Sequence, residues 1–299
     1  MTARLQRALM AVLLAALAAW LAWALPRWPL LAAAGALLIL FGYAAVLGAE
    51  CALMHWANRG DPAPRASLAQ VLRAWWGEAG MSPRVFYWRQ PLRANAVPDL
   101  LSPGPGAPQR GVVLVHGYLC NRGFWNPWLQ ALRARGQVCI AVNLEPPFGP
   151  IDGYAATIDA AVRRATAATG LPPVLVCHSM GGLAARAWLR AWPDAAARVR
   201  RIVTIGAPHH GTWLARFSGR ENVRQMRRRG PWLRALRAHE PAGRAALFTC
   251  WYSNCDNVVF PASTATLAGA DNRFIAGVAH VGMAFHPQVM RAVLDECAA

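Results

Sequence analysis

The chain has 299 residues, which allows one large domain or two small ones. Hydrophobic residues make up 56% of it and charged ones only 15%, too apolar for an ordinary soluble protein throughout. The formal net charge is +17, from 31 basic against 14 acidic residues. No nucleic-acid-binding motif accompanies that charge, which sets nucleic acid aside as a partner. Every basic residue is Arg. The absence of Lys reads as a coding bias, although Arg also pairs bidentately with phosphates, and a basic body is held beside an anionic membrane.

The apolar excess is concentrated in residues 1–50. Residues 8–25 carry no charge, and neither do residues 29–48. A helix needs about twenty apolar residues to cross a bilayer, so the second run is long enough and the first is marginal. Pro26-Arg27-Trp28 breaks the two runs, and Trp20, Trp23, Trp28 and Trp56 stand near the expected membrane boundaries. A cleaved signal peptide accounts for Arg4, Arg7 and the first run but not the second. A single long anchor has to tolerate Pro26 and Arg27. A transmembrane helical hairpin with spans over 8–25 and 29–48 accounts for all of these features. With Arg4 and Arg7 before it and Arg59, Arg65 and Arg73 after it, the positive-inside rule puts both ends in the cytoplasm. A single span would place the rest of the chain on the opposite face.

Residues 51–110 form a connecting region with a juxtamembrane helix, a linker and the first strands. The helix covers 51–83, with Leu68, Val71, Leu72 and Trp75 at helical spacing. Ser102-Pro103-Gly104-Pro105-Gly106 is a turn or linker. From Gly111 to the end, short apolar runs alternate with helical segments. Strands are expected at 112–115, 138–144, 174–177, 201–205, 246–252 and 273–278. Helices fall at 125–135, 154–168, 181–192 and 283–297. Such alternation implies crossover units and a parallel α/β sheet, and continuous runs such as Val112-Val113-Leu114-Val115 read as strands buried on both faces.

The chemistry centres on Val174-Leu175-Val176-Cys177-His178-Ser179-Met180-Gly181-Gly182. An apolar strand enters the serine and a helix leaves it, the context of a nucleophile elbow. Ordinary helix N-capping by Ser179 is the plain alternative. Cys177 stands where G-x-S-x-G has its first glycine. Acyl transfer needs backbone N–H groups aimed at the oxyanion. The amide of Met180 is one expected donor, and that of Tyr118, in Val115-His116-Gly117-Tyr118, is the other.

A hydroxyl nucleophile needs a base, usually a His oriented by a carboxylate. His209, His210, His239, His280 and His286 follow the serine. His280 lies between the last expected strand and the last helix and is the expected base, whereas His286, beside Pro287, reads as structural. Asp256 follows the strand Phe248–Tyr252, at the end where such sheets build their sites. Its rival Asp271 precedes a strand and so belongs to the opposite end.

With these residues in place, the chain resembles the bacterial lipases and related esterases of the α/β-hydrolase superfamily over about residues 110–295. The resemblance rests on His116-Gly117-Tyr118, on His178-Ser179-Met180-Gly181-Gly182, on Thr204-Ile205-Gly206-Ala207-Pro208-His209-His210-Gly211-Thr212, and on Asp256 with His280. It implies an α/β-hydrolase fold and a catalytic domain over 111–299. It also implies ester hydrolysis through an acyl-enzyme, with a lipid or other acyl ester as substrate and no cofactor. Some relatives carry Ca²⁺ or Zn²⁺, but no metal-ligand set is visible here, and His209-His210 reads as a family-typical turn. The position of residues 211–245 matches that of a lid in lipase-like folds. Trp213, Leu214 and Phe217 are its expected substrate-facing residues, set against a basic side that includes Arg216, Arg220 and Arg224 and can lie in a membrane interface. Together with the two spans, the resemblance implies a bacterial inner-membrane protein. The same triad would serve an acyltransferase, and Cys177 is the one feature favouring a catalytically silent binding module. The seven cysteines show no metal-like spacing, and the Cys250–Cys255 spacing allows a bridge in an oxidising compartment.

Overall fold

The computed structural model describes residues 1–104 and 109–298. Pro105 and Gly106 of the expected linker lie outside the described residues. The centre is a parallel sheet of six strands, ordered β2-β1-β3-β4-β5-β6. They are β1 (Val112–Val115), β2 (Cys139–Ala141), β3 (Val174–His178), β4 (Arg201–Ile205), β5 (Phe248–Ser253) and β6 (Asp271–Ile275). Alternate side chains feed two separate cores. Val113, Val115, Leu175 and Cys177 point to one face, and Val112, Leu114, Val174 and Val176 to the other. That double burial is why these strands read as unbroken apolar runs.

The N-terminal region is helical. α1 (Thr2–Ala24) and α2 (Pro29–Ala57) form a hairpin closed by the Trp20 indole, which donates to the Ala32 carbonyl at 3.1 Å. α2 continues past Gly48 because that glycine packs beside the Trp75 ring, and packing outweighs the ~1 kcal/mol that one glycine costs a helix. The helix expected over 51–83 is therefore two pieces. The first is the end of α2. The second, α3 (Leu68–Pro83), starts after Pro62 and Pro64 at a capping box made by Ser67 and Gln70. A π-turn (Arg84–Arg89) and a short turn (Gln90–Leu92) prolong α3. Between 51 and 104 the only strand-like feature among the described residues is a single antiparallel bridge, Leu100 with Cys139.

On one face of the sheet lie α5 (Ala155–Thr169) and α6 (Met180–Ala191); α4 (Asn126–Ala134) and α10 (Pro287–Ala298) cover the other. The segment after β4 holds α7 (Glu221–Gln225) and α8 (Pro231–Ala238), and α9 (His280–Ala284) precedes α10. The expected last helix is thus two, because Pro287 lacks an N–H and opens a new helix rather than continuing one. α2 and α3 dock beside the sheet through a third cluster in which Cys51, Met54, Val71 and Ala74 meet Cys255, Phe260 and Ala279. All seven cysteines are buried free thiols, so the Cys250–Cys255 bridge is not formed.

The carboxyl ends of β1, β3, β4, β5 and β6 converge at one edge, and the start of α6 must press close to the end of β1. Gly181 allows it: a Cβ there would lie 2.6 Å from the Val115 carbonyl oxygen and 2.8 Å from that of His116. Gly181→Ala should therefore destabilise the fold by about 1–3 kcal/mol through overpacking against rigid backbone. A thermal melt unchanged from wild type would contradict this contact.

Candidate active site

Ser179 joins the end of β3 to the start of α6 with φ +55° and ψ −128°, a conformation that L side chains seldom adopt. The turn is held by its own N–H, which donates to the Ile205 carbonyl of β4 at 2.9 Å. Strain of this kind persists only where the surroundings enforce it. The position of the usual first glycine is filled by Cys177, whose thiol is fully buried in the core beneath the turn. Burial pushes that thiol well above its ordinary range, so it stays protonated and inert. Ser179 lies in a cavity of about 310 Å³ together with His280, Gly117, Tyr118 and Leu119.

His280, at the start of α9, is buried, and its Nδ1 lies 3.0 Å from Asp256 Oδ2 and 2.9 Å from Oδ1. Asp256 Oδ1 also accepts the N–H groups of Val258 at 2.9 Å and Val259 at 2.7 Å, which fixes the carboxylate in the loop after β5. Burial works against the imidazolium. The charge and hydrogen bond of Asp256 outweigh it, with Glu78 and Glu50 adding to them, and hold His280 above the usual imidazole range. The His280 N–H donates to Asn257 Oδ1 at 3.2 Å, which sets the ring's approach. Gly206, at φ +56°, makes room for the pair: a Cβ there would lie 2.8 Å from Asp256 Oδ2 and 3.1 Å from His280 Nδ1. Asp271 opens β6 at the opposite end of the sheet, paired with Arg273.

The amides of Tyr118 and Met180 are both without a hydrogen-bond partner among the described residues. The loop after β1 is shaped by His116. Its Nδ1 pairs with the Gly117 carbonyl at 2.8 Å while Nε2 accepts the Leu144 N–H at 3.0 Å, which assigns the proton to Nδ1. Burial pushes this imidazole down to about 4, so it stays neutral. His178 is likewise held neutral by burial and by His280 beside it; its ring stacks on Phe124 at 4.7 Å. Leu119 follows at φ +55°, a second strained residue on the cavity wall.

Two further groups belong to this cavity and were not singled out in the sequence. Glu78 of α3 is 2% exposed, and its carboxylate accepts the N–H groups of Val281 at 2.9 Å and Gly282 at 3.1 Å. It caps the helix that carries His280. Burial pushes its carboxyl up to about 7, against those two hydrogen bonds and the charge of His280, which favour ionisation. Glu50 of α2 accepts from Asn257 Nδ2 at 2.7 Å, on the residue that also holds the His280 amide. The available signal was Glu50 itself, the sole acidic residue in positions 1–60 and set in an apolar helix.

The expected lid residues do not line the cavity. Trp213 and Leu214 pack beside the third cluster, where the Trp213 ring stands 6.2 Å from that of Trp56 and 6.0 Å from that of Phe260. Phe217 is exposed on the far side of Trp213. The end of α2 meets this segment at Trp213 and Leu214, while Val223, Met226, Leu233 and Leu236 of the same segment join the core on one face of the sheet. The walls nearest the cavity come instead from Leu47, Ser82 and Phe86 of the N-terminal helices. His209 is buried with Nε2 at 3.0 Å from Thr204 Oγ1, and its carbonyl accepts from Arg186, the arrangement of a structural turn. His286 stands between α9 and α10. Among the described residues no group of three or more His, Cys, Asp or Glu is arranged to hold a metal ion.

Among solved structures, the chain is similar to the mature Bacillus licheniformis lipase BlEst2. The identity is 17% and the TM-score 0.58, over 66% of this chain and 96% of that one. It is also similar to Aspergillus fumigatus lipase B, at 20% identity and TM-score 0.54, over 62% of this chain and 52% of that one. At these identities the likeness speaks for the fold. The sequence model described as the alpha/beta hydrolase family matches residues 112–294, from the first residue of β1 into α10. The chain belongs to the alpha/beta hydrolase family.

Proposed function

We propose that this protein is a membrane-anchored serine hydrolase that cleaves carboxylic esters, with lipid or other acyl esters as substrates. The observation that carries the reading is the buried His280–Asp256 pair, which opens on one cavity with Ser179 on its strained turn. The two similar structures are named as lipases, which supports ester chemistry on this fold.

In this reading His280 Nε2 takes the Ser179 proton as Oγ attacks the ester carbonyl. Asp256 holds Nδ1–H and stabilises the imidazolium that forms. The amides of Tyr118 and Met180 donate to the tetrahedral oxyanion, and because they are already fixed they need no reorganisation. His280 then protonates the leaving alcohol, and water, deprotonated by the same imidazole, releases the acid from the acyl-enzyme. Glu78 and Glu50 act as positioning residues, holding the His280 helix and Asn257 from the N-terminal side.

α1 and α2 serve as the anchor. Both are long and apolar enough to cross a membrane, and only 6% of the most hydrophobic window in each is buried inside the protein. Leu68, Leu72 and Trp76 of α3 form an exposed apolar stripe at i, i+4, i+8, while Trp75 donates from its other side to the Ala44 carbonyl. This suits a helix lying at the same membrane surface.

Ser179→Ala should abolish labelling by a fluorophosphonate probe and hydrolysis of p-nitrophenyl esters. A folded wild type that reacts with neither would overturn the hydrolase reading. The base works only when neutral, so the acidic limb of kcat/KM should lie above the ordinary imidazole value of about 6.5. Asp256→Asn removes the charge that raises His280, so it should move this limb to lower pH and cut kcat by roughly 10³-fold or more. An unmoved limb would place the titration on another group. Glu78→Gln should lower kcat more than it raises KM and shift the same limb downward, whereas a purely structural Glu78 would leave the limb in place.

A further inference from the structure

Beside the Ser179 cavity lies a second, apolar groove of about 340 Å³ on the first membrane helix. Leu5, Leu9, Met10 and Leu13 of α1 make one wall, and Phe86 and Tyr87 of the π-turn make the other. Phe86 and Leu119 line both spaces, so the two adjoin at the loop after β1. No charged side chain lines the groove. It follows α1 from Leu5 to Leu13, about 12 Å at the helical rise per residue. α1 also grips the loop itself: Gln6 Nε2 donates to the Leu119 carbonyl at 3.1 Å, and Gln6 Oε1 accepts from Asn121 Nδ2 at 3.3 Å. Leu119 thus holds its left-handed backbone between the membrane helix and the cavity.

We propose that this groove holds the acyl chain of a bilayer lipid, which enters sideways along α1 with its ester carbonyl reaching Ser179. The proposal rests on the ester-cleaving reading above and adds the route and the source of the substrate. An apolar chain leaving the bilayer along α1 stays in contact with apolar surface, since Leu9 on the groove wall and Val12 beside it are both exposed. With α1 as a membrane span, the groove runs along the flank of that helix, where a bilayer lipid reaches it more directly than a water-borne ester does. Such a site makes the hairpin part of the substrate-binding surface as well as an anchor. Chain length beyond the carbonyl is then read by Met10 and Leu13, the residues farthest along the groove.

The test uses the full chain reconstituted in phosphatidylcholine vesicles, with p-nitrophenyl palmitate and butyrate as substrates. Met10→Trp and Leu13→Trp fill the far half of the groove. The palmitate-to-butyrate ratio of kcat/KM should fall roughly tenfold or more, since each excluded methylene forfeits its burial. A ratio unchanged in both variants overturns the groove as the acyl site. A phosphatidylcholine with a diazirine near the acyl terminus supplies a readout independent of turnover, applied to Ser179→Ala. Crosslinks on residues 5–13 and 86–87 support the groove, and crosslinks confined to other surfaces overturn it. A wild type that neither hydrolyses ester nor labels, yet crosslinks in the groove, sinks the esterase reading and leaves the lipid site standing.

Discussion

A serine held at φ +55° between β3 and α6 is the constraint around which this molecule is arranged. The turn exists because two buried strands feed it. β4 supplies the Ile205 carbonyl that takes the Ser179 amide, and β1 ends so close to α6 that only Gly181 fits between them. An ordinary helix N-cap uses the serine oxygen to satisfy its own first turn. Here Ser179 caps nothing with its side chain, and the first amide of α6 has no partner among the described residues. The same sheet edge brings up the loops of β5 and β6, with Gly206 leaving the space in which Asp256 and His280 meet.

Burial sets the protonation states around that turn. His116 and His178 flank it, both fully enclosed and both held neutral. His280 is equally enclosed, yet it is displaced in the opposite direction because a carboxylate sits against Nδ1. Three imidazoles in one small region therefore have separate duties. Two act as neutral struts through their hydrogen bonds and stacking, and the third, held against Asp256, is the proposed base. The Cys177 thiol beneath them is kept protonated by the same lack of solvent, so sulfur at the usual glycine position alters packing without adding a nucleophile.

The hydrolase core is joined to its N-terminal helices through polar contacts at the site itself. Glu78 caps α9, Glu50 holds Asn257, and Gln6 holds the loop after β1. Carboxylates shielded from solvent are expensive unless hydrogen-bonded, and Glu78 and Glu50 both have amide donors from the loops after β5 and β6. Removing the helices would leave those donors unpaired and open the cavity wall made by Leu47 and Phe86. The proposed membrane anchor and the proposed active site are thus one structural unit.

Much of this was legible in the chain order. Continuous apolar runs between helical segments gave a parallel sheet, because strands buried on both faces have no polar side to show. The order strand, Ser179, glycine pair, helix is local, and local backbone geometry is encoded locally. The loops bearing Asp256 and His280 could be named because a parallel sheet gathers the carboxyl ends of its strands. Contacts across long sequence separations left no periodic trace. Nothing in the sequence pairs Glu78 with Val281, or sends α2 back to cover Trp213 and Leu214, so residues 211–245 looked like a free lid. The helix expected over 51–83 was cut by Pro62 and Pro64, whereas Gly48, which looked like an end, was carried through by packing on Trp75. The sequence by itself determined the sheet, the serine turn and the apolar hairpin, each fixed by short-range pattern and backbone sterics. Only the tertiary structure decided which helices wall the cavity and which carboxylates hold the histidine, since these depend on how separate amphipathic surfaces find one another.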